Sequence, residues 1–210
     1  MNLKLILIAL LIIVLGGFFL FKNNNGGKTM AEASNLNKKV LVAYFSRTGE
    51  QYSVGNITEG NTAIIAKMVA NKTNGDLFEI KVAQDNYPKG YTELTEYAQQ
   101  EKRNNLRPEI VGKVDNFADY DIIFIGYPNW WGDMPMPVYT FLESYDFTNK
   151  NVVPFCTHEG SGLGGTQNKV QNAAKGAKLL TGFAIYGHTA QNARTEADKK
   201  VSEWLKGLGI

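Results

Sequence analysis

Three short stretches of the sequence gather hydroxyls, glycines and aromatic rings in patterns suited to holding an organic ligand. The first is Ser46-Arg47-Thr48-Gly49, directly after the apolar run at 40–45. Side-chain hydroxyls and free backbone N–H groups, backed by a helix N-terminus, make a cradle for a phosphate. A helical pattern does follow, opening with Asn61 and Thr62, but residues 50–60 intervene. The second stretch is Pro128-Asn129-Trp130-Trp131-Gly132. Two adjacent tryptophans in a Gly/Pro-rich loop are poor candidates for joint burial in one core. An exposed aromatic face suits stacking or edge contact with a flat ring system. The third is Thr157-His158-Glu159-Gly160-Ser161-Gly162. Glycines there let a ligand approach the backbone closely and leave N–H donors accessible.

Other chemistries fit less well. Gly160, Gly162 and Gly165 formally satisfy G-x-G-x-x-G, but a dinucleotide fingerprint needs an acidic residue about 20 positions on. Residues 184–188 hold none, and the next acid is Glu196. With two histidines, His158 and His188, and one cysteine, Cys156, a zinc site is not expected and no metal is assigned. Cys156 ends an apolar run and reads as a small buried hydrophobe. His158 reads as a ligand contact without a chemical role, and no catalytic residue is assigned.

The elements that must position these loops are legible as periodicities. Continuous apolar runs at 40–45, 77–82, 120–127, 152–156 and 178–186 alternate with helical patterns at 62–69, 91–103, 137–145, 167–175 and 194–208. Continuous apolar runs are the mark of parallel strands covered on both faces. Five of them with intervening helices predict an α/β, doubly wound five-stranded parallel sheet, in which ligands bind beyond the carboxyl ends of the strands. Each of the three loops follows such a strand.

Taken together, these loops carry a resemblance. Without residues 50–60 the first reads SRTGNTAIIA, which resembles the phosphate-binding loop of flavodoxins. The tryptophan loop resembles the P-x-W-W/Y-G-x-x-P segment of flavodoxin-like and NAD(P)H-oxidoreductase families. The third resembles the second flavin-contacting loop, of T-H-x-G-S-G form. The resemblance extends over about residues 39–208 and implies a flavodoxin-like domain with strand order 2-1-3-4-5 that holds one FMN. It also implies a cofactor-binding set drawn from the three loops: Ser46, Arg47, Thr48, Gly49, Asn61 and Thr62; Pro128, Asn129, Trp130, Trp131 and Gly132; and Thr157, His158, Glu159, Gly160, Ser161 and Gly162. The departure is the eleven-residue segment 50–60. It is expected to be a surface insertion whose removal leaves fold and FMN intact, since loop length costs little closure entropy.

The function implied is redox: electron transfer through a non-covalent flavin to a partner protein or a small-molecule acceptor. The alternatives are an FMN-dependent NAD(P)H:acceptor oxidoreductase of quinone type and, from another class, a non-redox binding domain. Carriers dock through strong charge, whereas beyond residue 30 this chain has 19 basic and 20 acidic residues. That balance also excludes a basic field for nucleic acid.

Residues 5–21 form 17 consecutive positions without a charged or strongly polar side chain. About 17 residues is the short end of what crosses a bilayer as a helix. Residues 1–22 are therefore expected to form one N-terminal apolar helix, a membrane anchor or uncleaved signal. Residues 23–37 read as a polar linker and 38–210 as the folded domain. The expected placement of that domain is extracytoplasmic. The lysines flanking the apolar run are nearly balanced across it and do not set the orientation.

Overall fold

The computed structural model describes residues 38–210; the expected N-terminal helix and linker lie outside the described residues. The folded part begins with β1 (Val40–Tyr44), whose alternate side chains enter two separate cores. Val40, Val42 and Tyr44 point to one face of the sheet, Leu41 and Ala43 to the other. Period-two alternation with both faces apolar is what a sheet sandwiched between helices requires.

The remaining strands follow the expected path. A hairpin, β2 (Gly49–Gln51) and β3 (Gly55–Ile57), precedes α1 (Asn61–Thr73). Then come β4 (Asp76–Glu79), α2 (Tyr91–Arg103), β5 (Ile122–Pro128) and α3 (Met136–Glu143). They are followed by β6 (Asn151–His158), α4 (Thr166–Ala173), β7 (Lys178–Leu179), β8 (Phe183–Tyr186), α5 (Gly187–Asn192) and α6 (Arg194–Leu208). The central sheet runs β4-β1-β5-β6, with β7 and β8 both beside β6, all parallel. Counting β7 and β8 as one interrupted strand, this is the order 2-1-3-4-5.

One face carries Leu94 of α2, Val138 and Phe141 of α3 and Val170 of α4. The other carries Ile64, Ile65 and Val69 of α1 with Ala197, Val201 and Leu205 of α6, as their spacing predicts. Among the described residues no helix is long and apolar enough to cross a membrane.

The structure departs from the sequence reading in three places. The last strand was expected to run unbroken over 178–186; it breaks at 180–182. Val152 pairs with Leu179 and Phe155 with Phe183, so the outer strand carries one residue more than its partner between these points. The break lies opposite Pro154, which has no N–H to donate to a ladder. Gly182 fits there because a Cβ would stand 2.9 Å from the Pro154 carbonyl. Secondly, β4 ends at Glu79, not near residue 82, and Leu77 is exposed on this edge strand. The chain leaves the sheet, and Val82 instead bridges Ile110 antiparallel. Thirdly, residues 50–60 are not plain loop. They form most of the β2–β3 hairpin, whose turn at 52–54 holds Ser53 at φ 55° and leads into Gly55 at φ 91°.

Candidate functional site

The carboxyl ends of β5 and β6 deliver the second and third loops to one cleft of about 350 Å³; of the residues expected from the first loop only Asn61 lines it, and Ser46, Arg47, Thr48, Gly49 and Thr62 do not, nor do Gly132, Gly160 and Gly162. Volumes of this order hold small organic ligands. Asn61 stands at one end, at the first turn of α1. Pro128, Asn129, Trp130 and Trp131 line one wall; Thr157, His158, Glu159 and Ser161 line another.

The α1 end has the makings of an anion cradle. Ser46 Oγ accepts a hydrogen bond from the Ala63 amide at 3.0 Å, which caps the helix from the preceding loop. Gly60 makes that possible: a Cβ there would collide with Ser46 Oγ and stand 2.6 Å from the Arg47 carbonyl. The N-cap Gly60 offers no side-chain cap, and the first amides of a helix have no carbonyl within it to donate to, so the amides of Asn61 and Thr62 and the helix dipole mark this end as donor-rich. Below it, the buried hydroxyls of Thr62 and Thr157 share a hydrogen bond of 2.8 Å, locking α1 to the end of β6. Thr48 is exposed beside this turn, and Gly49 opens the hairpin. Arg47 does not line the cleft. Asp85 grips its guanidinium at 2.6 and 2.7 Å, and it lies over the Tyr87 ring at 5.0 Å.

The tryptophan loop is a tight turn. Trp130 and Asp133 exchange both backbone hydrogen bonds, with Trp131 at φ 57° and Gly132 at φ 67°. Two positive φ values at the centre define a type I′ turn, natural for Gly132 and costly for a tryptophan. The cost is met by two restraints. The Trp131 indole N–H donates to the Thr95 carbonyl at 2.9 Å, and Lys102 Nζ donates to the Trp131 carbonyl at 2.6 Å. The indole is thereby held 52% exposed on the rim. Trp130 sits deeper, edge-on to Phe45 and Tyr87 with ring centres 5.5 and 5.7 Å apart.

Asn129 joins this loop to the next. Its Oδ1 accepts from the Gly132 amide at 3.0 Å, and its Nδ2 donates to the Gly162 carbonyl at 2.8 Å. Gly160 and Gly162, at φ 124° and 56°, give the third loop its path. The Gly160 amide donates to His158 Nδ1 at 2.9 Å, so the neutral ring carries its proton on Nε2. Burial holds the His158 pKa below its ordinary value; Glu159 opposes this and His188 adds to it. Glu159 itself is engaged: its carboxylate accepts from the His188 amide at 2.9 Å and contacts His188 Nδ1 at 2.7 Å.

Two further elements line the cleft: the hairpin, which the sequence reading set aside as an insertion, and α2, within the segment 87–107 that the sequence offers as a cover for the flavin site without placing its residues. Glu50, Gln51 and Tyr52 of the hairpin segment form part of the wall, as do Tyr91, Leu94, Thr95 and Ala98 of α2. Glu50 accepts the Tyr91 amide at 2.9 Å, and Tyr52 stacks on Tyr91 with centres 5.6 Å apart. The segment expected to be a dispensable insertion is thus fastened over the site. The apolar pair Leu94 and Ala98, four apart on an otherwise polar helix, was the available signal for α2.

Comparison with known proteins agrees with this architecture. The family model described as flavodoxin matches residues 39–206. A candidate flavoprotein of known structure from Bacteroides uniformis ATCC 8492 is 31% identical, covering 80% of this chain and 98% of its own, with a TM-score of 0.65. One from Bacteroides eggerthii DSM 20697 is 29% identical over 83% of this chain and 99% of its own, with a TM-score of 0.66. A flavoprotein from Lactobacillus acidophilus NCFM, solved in complex with FMN, shares the fold at 22% identity and a TM-score of 0.57, covering 75% of this chain and 97% of its own. No curated protein matches the chain.

Proposed function

The chain belongs to the flavodoxin family, and on that premise we propose that it is an FMN-binding redox protein that transfers electrons through a non-covalently held flavin. One observation carries the reading: the Asn129 side chain holds the tryptophan loop and the glycine loop together at the mouth of one cleft, whose far end is the open N-terminus of α1. A flat ring bearing a phosphate tail matches that layout. The residues fit the group. Ser46, Thr48 and the amides of Asn61 and Thr62 would hold the phosphate. Trp130 and Trp131 would flank the ring, and His158 Nε2–H and the amides around Gly160 would donate to its polar edge. FMN supplies one- and two-electron transfer when bound. The chain's part is to anchor the phosphate, exclude water from the ring and set the field around it. Arg47, held by Asp85, would steady the Tyr87–Trp130 contact rather than meet the phosphate.

An FMN-dependent oxidoreductase acting on a small acceptor is the second reading. It is favoured by the added wall from the hairpin and α2, since a carrier that docks on proteins has no need of one.

We further propose that residues 1–22 anchor the protein in a membrane with the flavin domain on the extracytoplasmic side. The support is the uninterrupted apolar run at 5–21. Protease added to intact cells tests the orientation: the domain is cleaved without lysis if this is right and protected if it is wrong.

The cofactor is tested by purifying residues 38–210, extracting any chromophore and separating FMN from FAD. FMN at near one per chain is expected. Mostly FAD, or no flavin after reconstitution, would reject the reading.

A further inference from the structure

We propose that α5 makes the α1 end of the cleft selective for a phosphorylated ligand over its unphosphorylated counterpart. Gln191 and His188 are its positioning residues: the first turns Asn61 into a donor, the second masks the charge of Glu159. The proposal rests on the FMN reading and adds residues that none of the three loops contains. α5 touches the site through two residues that line the cleft, Asn61 and Glu159.

The orientation of the Asn61 amide follows from its neighbours. The Glu59 carbonyl can only accept, so the Gln191 side-chain atom 2.6 Å from it is the nitrogen, Nε2. The same nitrogen stands 2.9 Å from Asn61, which must therefore present its oxygen, Oδ1. With the oxygen taken, the end of Asn61 left for a ligand is the donor, Nδ2. Glu59 is fixed in turn, its carboxylate meeting Lys67 Nζ at 2.6 Å and Arg194 at 2.8 Å. Asn61 is the one first-loop residue that lines the cleft, so the polarity of this amide decides what that end offers.

Glu159 is the opposing group. A bare carboxylate in the cleft would work against a phosphate by like-charge repulsion. His188 holds both of its oxygens: the backbone amide donates to Oε1 at 2.9 Å and Nδ1–H to Oε2 at 2.7 Å. The Glu159 side chain is left only 14% exposed. Gly187 lets both residues close in, since a Cβ there would collide with Asn61 Nδ2 and stand 2.9 Å from Glu159 Oε1. Three of the six residues of α5 thus serve one corner of the cleft. A phosphate gains from a donor presented and a charge withdrawn; a neutral terminus gains little from either.

The test titrates the flavin-free full chain with FMN and with riboflavin by equilibrium dialysis. Wild type is expected to prefer FMN. Gln191→Glu replaces the donor by an acceptor, so Asn61 must turn its nitrogen to the new carboxylate and its oxygen to the ligand. FMN should bind about tenfold more weakly there, with riboflavin within about twofold. Gln191→Met keeps the length, imposes no orientation and should cost FMN about threefold, so it decides the matter if the charged variant does not fold. His188→Ala bares Oε2 and should weaken FMN about fivefold with riboflavin unchanged, and His188→Asn, which returns an N–H, should restore it. Equal affinity of wild type for the two flavins, an unchanged ratio in the Gln191 variants, or a matched loss of both flavins would each overturn the proposal while leaving the FMN reading intact. A chain that binds neither flavin overturns both.

Discussion

Asn129 Nδ2 lies 2.8 Å from the Gly162 carbonyl oxygen, so one side chain spans two loops separated by 33 positions in sequence. The same side chain accepts the Gly132 amide. Strand order puts β5 and β6 side by side, and this contact turns that adjacency into a fixed separation between two walls of the cleft.

Replacing Asn129 with Ala removes both hydrogen bonds, each worth about 0.5–1.5 kcal/mol net. We expect the apo domain to lose about 1–3 kcal/mol in urea unfolding and FMN to bind about tenfold more weakly, corresponding to about 1.4 kcal/mol. Asn129→Asp keeps the acceptor for Gly132 but sets a carboxylate against the Gly162 carbonyl. It should be no better than Ala. Wild-type affinity in either variant would show that the loops hold their spacing without the staple.

Ser46→Ala removes the cap on the Ala63 amide and one hydroxyl from the phosphate cradle. Loss of such a cap costs about 1 kcal/mol. The distinguishing readout is ligand preference. FMN affinity should fall while riboflavin affinity stays the same, so their ratio narrows. An unchanged ratio would place the phosphate elsewhere.

Deleting residues 50–60 to give SRTGNT should leave the central sheet folded, because the hairpin adds no strand to it. It removes the Glu50 contact to α2 and part of the cleft wall. We expect an unfolding midpoint within a few degrees of wild type, as about 1 kcal/mol shifts a domain of this size by roughly 2–4 °C, with FMN dissociating about tenfold faster. Stopped-flow flavin release checks it. An unchanged rate would return the hairpin to the spectator role that sequence alone suggested.

His158 gives a pH prediction. Its folded pKa is depressed, so the unfolded chain takes up the proton first as pH falls. Its contribution to stability is complete above the ordinary value of 6.5 and is lost as pH drops through the lower folded value. Wild-type stability should therefore decline on acidification from about pH 6.5, and this limb should shrink in His158→Gln. Buried Glu101, whose pKa is raised by burial, acts in the opposite sense: its contribution is present below the ordinary carboxylate range and lost as pH rises. Nitrogen-15 shifts of the imidazole, with His188→Gln to assign the signals, should show the Nε2–H tautomer at neutral pH. A His158 titrating above 6.5 would refute the assignment.

Much of this was legible in the sequence. The strand runs and α1 and α6 were readable because both faces of a covered sheet demand apolar residues at fixed periods. The three loops were readable because phosphate and ring chemistry constrain residue type. The hairpin was not: GEQYSVGNI has no apolar alternation, since it packs against no core and is held by one carboxylate and one ring pair. The segment 87–107 could be read as a cover for the site, but which residues of α2 face the cleft could not, because Tyr91, Leu94, Thr95 and Ala98 serve a cavity and not the main core alone, which dilutes the helical stripe. The interrupted last strand was announced only by Pro154, which acts on the strand beside its own. The short helix α5 carries no periodic signal in six residues.

Cys156 lies beneath the glycine loop, fully buried, its Sγ 3.2 Å from the same Gly162 carbonyl that Asn129 engages. Burial pushes its pKa up to about 12. A thiol so shielded is chemically silent while the loop is closed, and it is the only one in the chain. It therefore works as a built-in clock. A disulfide reagent added in excess can react only during excursions that lift the loop, and once capture outruns reclosing the labelling rate no longer depends on reagent concentration and equals the opening frequency itself. Whatever fills the cleft must slow that clock in proportion to its occupancy, so a natural ligand could be recognised by the lag it imposes, before its chemistry is known.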